Sequence, residues 1–201
     1  MQQLRLVNDV LLQAGERPVT SLVTPVGRKG ALSVRAAVED ITLLNSWPFL
    51  ARKLTPLPAS SATTLVVSPL RKVTAVEYNG RNLTPVGLDE VSRTPNSFAI
   101  VDEETIEVNP GGAFTQYTVY GEALLDYDEE DPDEIIPLPK RFRELLMVQA
   151  VYRMAVNHLG DPDLANLKAN EFAVMARQMM AREIGVGTKS LNMYRKRVYG
   201  Y

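Results

Sequence analysis

Cysteine is absent from this chain, which removes disulfide staples, thiolate nucleophiles and Cys-ligated zinc and suits folding in a reducing cytoplasm. Histidine is nearly absent too. The one example, His158, lies near the end of a helix-forming segment, where interaction with the helix dipole explains it as well as acid–base work does. No Gly-x-Ser-x-Gly, phosphate-binding loop, dinucleotide fingerprint or His-Glu-x-x-His pattern occurs, and Glu103-Glu104 sits in turn-like sequence. No enzymatic activity, cofactor or metal is therefore expected. An excess of either charge is also lacking: 22 Lys plus Arg against 24 Asp plus Glu leave a formal charge of -2, too little for any global attraction to nucleic acid. Apolar runs fall short of the roughly 18 residues that suggest a membrane span. The opening Met1-Gln2-Gln3-Leu4-Arg5-Leu6 has no basic region followed by an apolar core, so no secretory leader is expected.

What is present is an ordinary globular composition, 45% hydrophobic and 23% charged over 201 residues, enough for one substantial core or two small ones. Leu4, Val7, Leu11 and Ala14 recur at helical spacing and stop at Gly15, a residue suited to the left-handed position that ends helices. A second pattern runs through Val34, Val38, Ile41 and Leu44 and should end at Trp47-Pro48, because proline disfavours helical geometry in the residue before it. From Leu50 to Leu125 prolines recur between short β-branched runs, which reads as four to six antiparallel strands. The clearest is Val73 to Tyr78, followed by Asn79-Gly80, the pair that supplies both positive-φ positions of a tight hairpin. Further strands are expected at Ser97 to Val101, Thr105 to Val108 and Phe114 to Leu125. Helix returns over Lys140 to Leu159, ended by Gly160, and again from Asp161-Pro162-Asp163 to about Ile184.

The expected fold is thus α+β: an antiparallel helical bundle built from both chain ends, residues 1–49 and 138–184. An antiparallel β domain with an acidic linker is inserted at 50–137, and an extended basic-aromatic tail follows at 185–201.

Four features bear on function. The third helix is apolar on two rows: Leu145, Val148, Tyr152, Ala155 and Leu159 form one, and Met147, Val151 and Met154 the other. Either it is a central core helix or one row faces a neighbouring subunit. The fourth helix carries small residues and Met175, Met179 and Met180, suited to core packing or to intersubunit packing. Asp126 to Glu134 holds seven acids in nine residues. It lacks the alternation and glycine of a calcium loop, leaving a solvated linker or an acidic surface that repels a DNA backbone. The tail interleaves Lys189, Arg195, Lys196 and Arg197 with Tyr194, Tyr199 and Tyr201. That composition suits a disordered tail, docking on a partner protein or contact with a nucleic-acid strand.

Leu6-Val7-Asn8-Asp9-Val10-Leu11 followed by Gly15-Glu16-Arg17-Pro18-Val19-Thr20-Ser21-Leu22 resembles the opening of the tail tubular protein A (adaptor) family of short-tailed bacteriophages. Trp47 closing helix two, Asp126-Tyr127-Asp128 after the last strand, and Pro139 to Phe142 leading into helix three are similar in order and spacing. The resemblance implies a dodecameric ring, a structural virion component between portal and tail nozzle, with an axial channel through which genomic DNA passes without sequence-specific binding. It places the helical part at the portal and the β part at the nozzle. On this reading Tyr194, Arg195, Lys196, Arg197, Tyr199 and Tyr201 bind the portal, and Met147, Val151, Met154, Met175 and Met179 lie at the subunit interface. The competing readings are a head-completion or connector protein of another tailed-phage type, and a DNA-binding protein that uses the basic tail.

Overall fold

A computed structural model describes residues 2–55, 63–110, 117–123, 125 and 127–199, the last stretch from 183 as backbone only. The chain divides into two compact units, residues 1–48 with 125–201, and residues 49–124.

In the first unit, α1 (Gln3–Gln13) ends as its residues dictate. Gly15 takes φ 79°, and the following loop is pinned by Asn8, whose side-chain amide donates to the Val19 carbonyl (2.9 Å) and accepts from the Val19 N–H (2.8 Å). Thr24 caps α2 (Pro25–Leu43) by accepting from the Gly27 N–H, with Pro25 at the first helical position. A single 3-10 turn at Lys140–Phe142 leads into α3 (Arg143–Met154), which a π-turn (Ala155–Leu159) extends to the left-handed Gly160. Asp161 then caps α4 (Pro162–Tyr199) through the Leu164 N–H. Helices α1, α2 and α4 all pack on α3, and Leu145 through Val151 are buried without interruption.

Among the described residues the second unit holds eight strands in two sheets around one core. One sheet joins β1 (Ala51–Leu54), β8 (Tyr117–Ala123), β3 (Leu70–Tyr78) and β4 (Arg81–Asn82); the other joins β2 (Thr64–Val66), β7 (Thr105–Asn109), β6 (Ser97–Ile100) and β5 (Thr84–Pro85). Alternation along β7 turns Ile106 and Val108 inward to meet Val76, Phe98, Tyr117 and Val119. The β3–β4 turn uses Asn79 and Gly80 at φ 48° and 78°. Register shifts in β3 bring its backbone so close to β8 that a β-carbon on Gly121 would lie 2.4 Å from the Lys72 carbonyl oxygen, a position only glycine fills.

Three expectations are corrected. An antiparallel helical bundle from both chain ends is not indicated; among the described residues the fold is mixed, with four helices and two four-stranded sheets. The β region is not one antiparallel domain, because β5 pairs parallel to β6. Pro85 takes an edge position, where a missing N–H costs no ladder bond. Residues 185–199 are helical rather than extended: α4 continues through Gly185 and Gly187 to Tyr199, since a glycine inside a helix costs only about 1 kcal/mol relative to alanine. The strand expected from Phe114 begins at Tyr117, its first residues lying outside those described.

Candidate assembly site

The residues expected at a subunit interface divide by what covers them. Val151 and Met154 are 0% and 1% exposed, and Met154 accepts a long contact from the Ser33 hydroxyl of α2 at 3.7 Å. Val151 and Met154 thus pack inside their own unit. Met147 is also buried, yet it lines a groove of about 650 Å³ together with Leu12 of α1 and Met175 of α4, rimmed by Asp9, Glu144 and Glu171. Met175 and Met179 are half-buried.

On α4 the covered stripe is Ala165, Lys168, Ala169, Phe172, Ala176, Met179 and Met180, at helical spacing. The opposite face exposes Leu167 and Val174, at 62% and 54%. Sequence reading missed this pair. They stand seven residues apart, on one line of the helix, and that spacing was the available signal.

Of the residues expected to bind the portal, Tyr194, Arg195, Lys196, Arg197 and Tyr199 fall on the last turns of α4, and Tyr201 lies outside the described residues.

The acidic segment is not a free linker. Glu129 accepts from Arg35 of α2 at 2.6 Å, Glu130 stands 3.8 Å from Arg28, and the Gln3 side chain donates to the Glu129 carbonyl. Its backbone also caps α1: the Gln3 N–H donates to Glu134 O and the Leu4 N–H to Pro132 O, serving donors that no side chain at Gln2 satisfies. The hydrogen bond and charge of Glu129 raise the Arg35 guanidinium further above its usual value. Burial pushes the Tyr127 hydroxyl up, well away from ionisation. Asp126 lies outside the described residues.

A polar clamp ties α2 to α3. Asp40 accepts from Arg153 through both Nε (2.6 Å) and Nη2, and from Gln149 Nε2 at 2.6 Å. Burial alone would raise the Asp40 carboxyl, but the hydrogen bonds from Arg153 and Gln149 and the Arg153 charge outweigh it and hold the group below its usual value. A carboxyl depressed in the folded state stabilises the fold above its unfolded value and loses that contribution as pH falls through the folded one. Stability should therefore drop as the medium is acidified below about pH 4. Asp40→Asn should cost about 2 kcal/mol at neutral pH, a value reduced from the fully buried case because both side chains retain some solvent contact. It should also flatten the acid limb of a urea-midpoint profile; an unchanged profile would reject the clamp.

His158, on the π-turn, is lowered from its usual value by burial and by the Lys29 charge. Among the described residues no three acidic or histidine side chains come together to hold a metal ion, and no helix is long and apolar enough to cross a membrane. No protein-family model matches the chain, and no curated protein matches it.

Proposed function

We propose that this chain is a structural subunit of a tailed-bacteriophage virion, an adaptor ring at the portal vertex that joins the portal to the tail nozzle and forms part of the DNA channel. The observation that carries this reading is the joint order of Leu6–Leu11, Gly15–Leu22, Trp47, Asp126–Asp128 and Pro139–Phe142, the segments similar to the tail tubular protein A family. The ring, of twelve copies on this reading, is heterologous, each copy presenting one face to the next and a different face to the previous one. It assembles in the host cytoplasm and has no catalytic step.

The reading has physical support of its own in α4. A helix of 38 residues outruns the 12-residue α3 on which it packs, and its outer face carries the exposed Leu167 and Val174. The basic residues Lys189, Arg195, Lys196 and Arg197 near its end are assigned to the portal, where charged rim contacts weaken with salt.

Mass photometry of the purified chain, alone and with its portal, should detect a closed ring in at least one sample. Monomers in both would overturn the reading. A chain ending at Ile184 should lose portal attachment while keeping its thermal melting temperature, its 222 nm signal falling only by the helical turns removed; undiminished attachment would remove the assignment of the basic residues.

A further inference from the structure

We propose that the concave site where the first turn of α1, the Leu138-Pro139 turn and the start of α3 meet binds an acidic peptide segment of a partner protein. A carboxylate of that segment is held by Arg5 and Lys140, and an adjoining apolar side chain rests on Leu138, Pro139 and Leu146. The site encloses about 480 Å³.

The cations favour an anion for a specific reason. Three converge on the site, Arg5, Lys140 and Arg143. Arg143 already donates through Nη2 to Asp9 at 3.1 Å, whereas neither Arg5 nor Lys140 pairs with a carboxylate among the described residues. Like charges around a concavity with apolar walls create a stronger local potential than the same charges on an open surface. The helical run that begins at Lys140 presents its positive end here, with no side-chain cap on its first turn.

The other walls select the kind of anion. A bare oxyanion gains nothing from Leu138, Pro139 and Leu146. A nucleic-acid strand carries a charge at every phosphate and so meets Asp131, Asp133 and Glu134, whose segment is hydrogen-bonded to the first N–H groups of α1 beside the site, along its length, whereas a short segment with one or two carboxylates needs to reach only the cations. A ligand with one or two carboxylates next to an apolar side chain satisfies both conditions. The site is built beforehand, because Pro139 fixes one wall and the bonds from Gln3 and Leu4 to Glu134 and Pro132 fix another, so little ordering accompanies binding.

The test titrates the full chain with a fluorescent acidic peptide, acetyl-Gly-Leu-Glu-Leu-Asp-Gly-amide, against its Gln/Asn counterpart. The acidic peptide should bind at least about tenfold more tightly, and Arg5→Gln with Lys140→Gln should weaken it by about tenfold or more. Both side chains are exposed, and an unchanged thermal melt controls for folding; Lys140→Gln alone carries the test if Arg5→Gln disturbs α1. Equal binding of the two peptides, wild-type binding by the variants, or no binding to the parent chain at millimolar peptide would each overturn the proposal. So would displacement by inorganic phosphate at equal concentration, or tighter binding of a single-stranded oligonucleotide. These outcomes do not depend on ring formation.

Discussion

Alanine at position 47 is expected to remove about 3–5 kcal/mol from the stability of the helical unit. Trp47 is 1% exposed and packs edge-on against Phe142, ring centroids 5.0 Å apart at 82°, while its Nε1–H donates to the Ile41 carbonyl at 2.5 Å. Alanine would leave a cavity beside Phe142 and take away a donor at the end of α2. Domains are stable by only about 5–15 kcal/mol, so the loss should be visible as a large fall in the urea midpoint. The probe has to be circular dichroism at 222 nm, because Trp47 is the only tryptophan and its fluorescence disappears with it. Trp47→Phe keeps most of the ring but not the hydrogen bond and should cost less, about 1–3 kcal/mol. A midpoint unchanged by Trp47→Ala would mean that the Trp47–Phe142 contact does not hold the unit together.

The helix ends were legible wherever a residue had one local reason to be there. Gly15 and Gly160 take the positive φ that their positions demand, and Asp161-Pro162 caps α4. The start of α2 carried an equally good signal in Thr24-Pro25, obscured because Gly27 and Gly30 dilute the helical pattern that follows. Those glycines are there for packing: a β-carbon on Gly30 would stand 2.6 Å from Val7 Cγ1, so the approach of α1 to α2 needs a residue that helix propensity disfavours. The same reasoning, applied to Gly185 and Gly187 as breakers, put a tail where α4 continues. In the β unit the hairpin at Asn79-Gly80 was readable. The second sheet was not, because strands of two or three residues such as β5 and β2 are too short to show alternation.

The candidate site was less legible, for a different reason. Periodicity identifies an apolar row but not what covers it. The row Met147, Val151 and Met154 was a sound reading of the sequence, yet α1, α2 and α4 surround α3 and leave Val151 and Met154 without solvent. Conversely, Leu167 and Val174 stand among Asn170, Glu171, Arg177 and Gln178, and two apolar residues in a polar row carry little weight until their exposure is known. The acidic segment shows the limit of composition most directly. Its charge density predicts solvation, but Glu129 is anchored on Arg35 and the backbone on the start of α1.

On the proposed adaptor reading, Leu167→Glu combined with Val174→Glu is expected to abolish ring formation while leaving the monomer's fold intact. Both side chains are more than half exposed, so within one chain the exchange removes little packing, and surface substitutions of this kind usually change stability by no more than about 0.5 kcal/mol. In an assembled ring the cost is of another kind. Each interface would have to bury two added carboxylates where apolar side chains packed, a penalty of about 1–3 kcal/mol or more per group left without a partner. A ring repeats that penalty at every interface, so a modest loss per contact becomes complete loss of the closed species. Arg177 and Arg182, exposed on the same helix, provide the opposite control: Arg177→Ala should weaken assembly in low salt and have less effect in high salt. Mass photometry of the double variant with its portal should then record monomers whose thermal melt matches the parent chain. Intact rings would remove α4's outer face from the interface and return attention to the groove around Met147 and Met175.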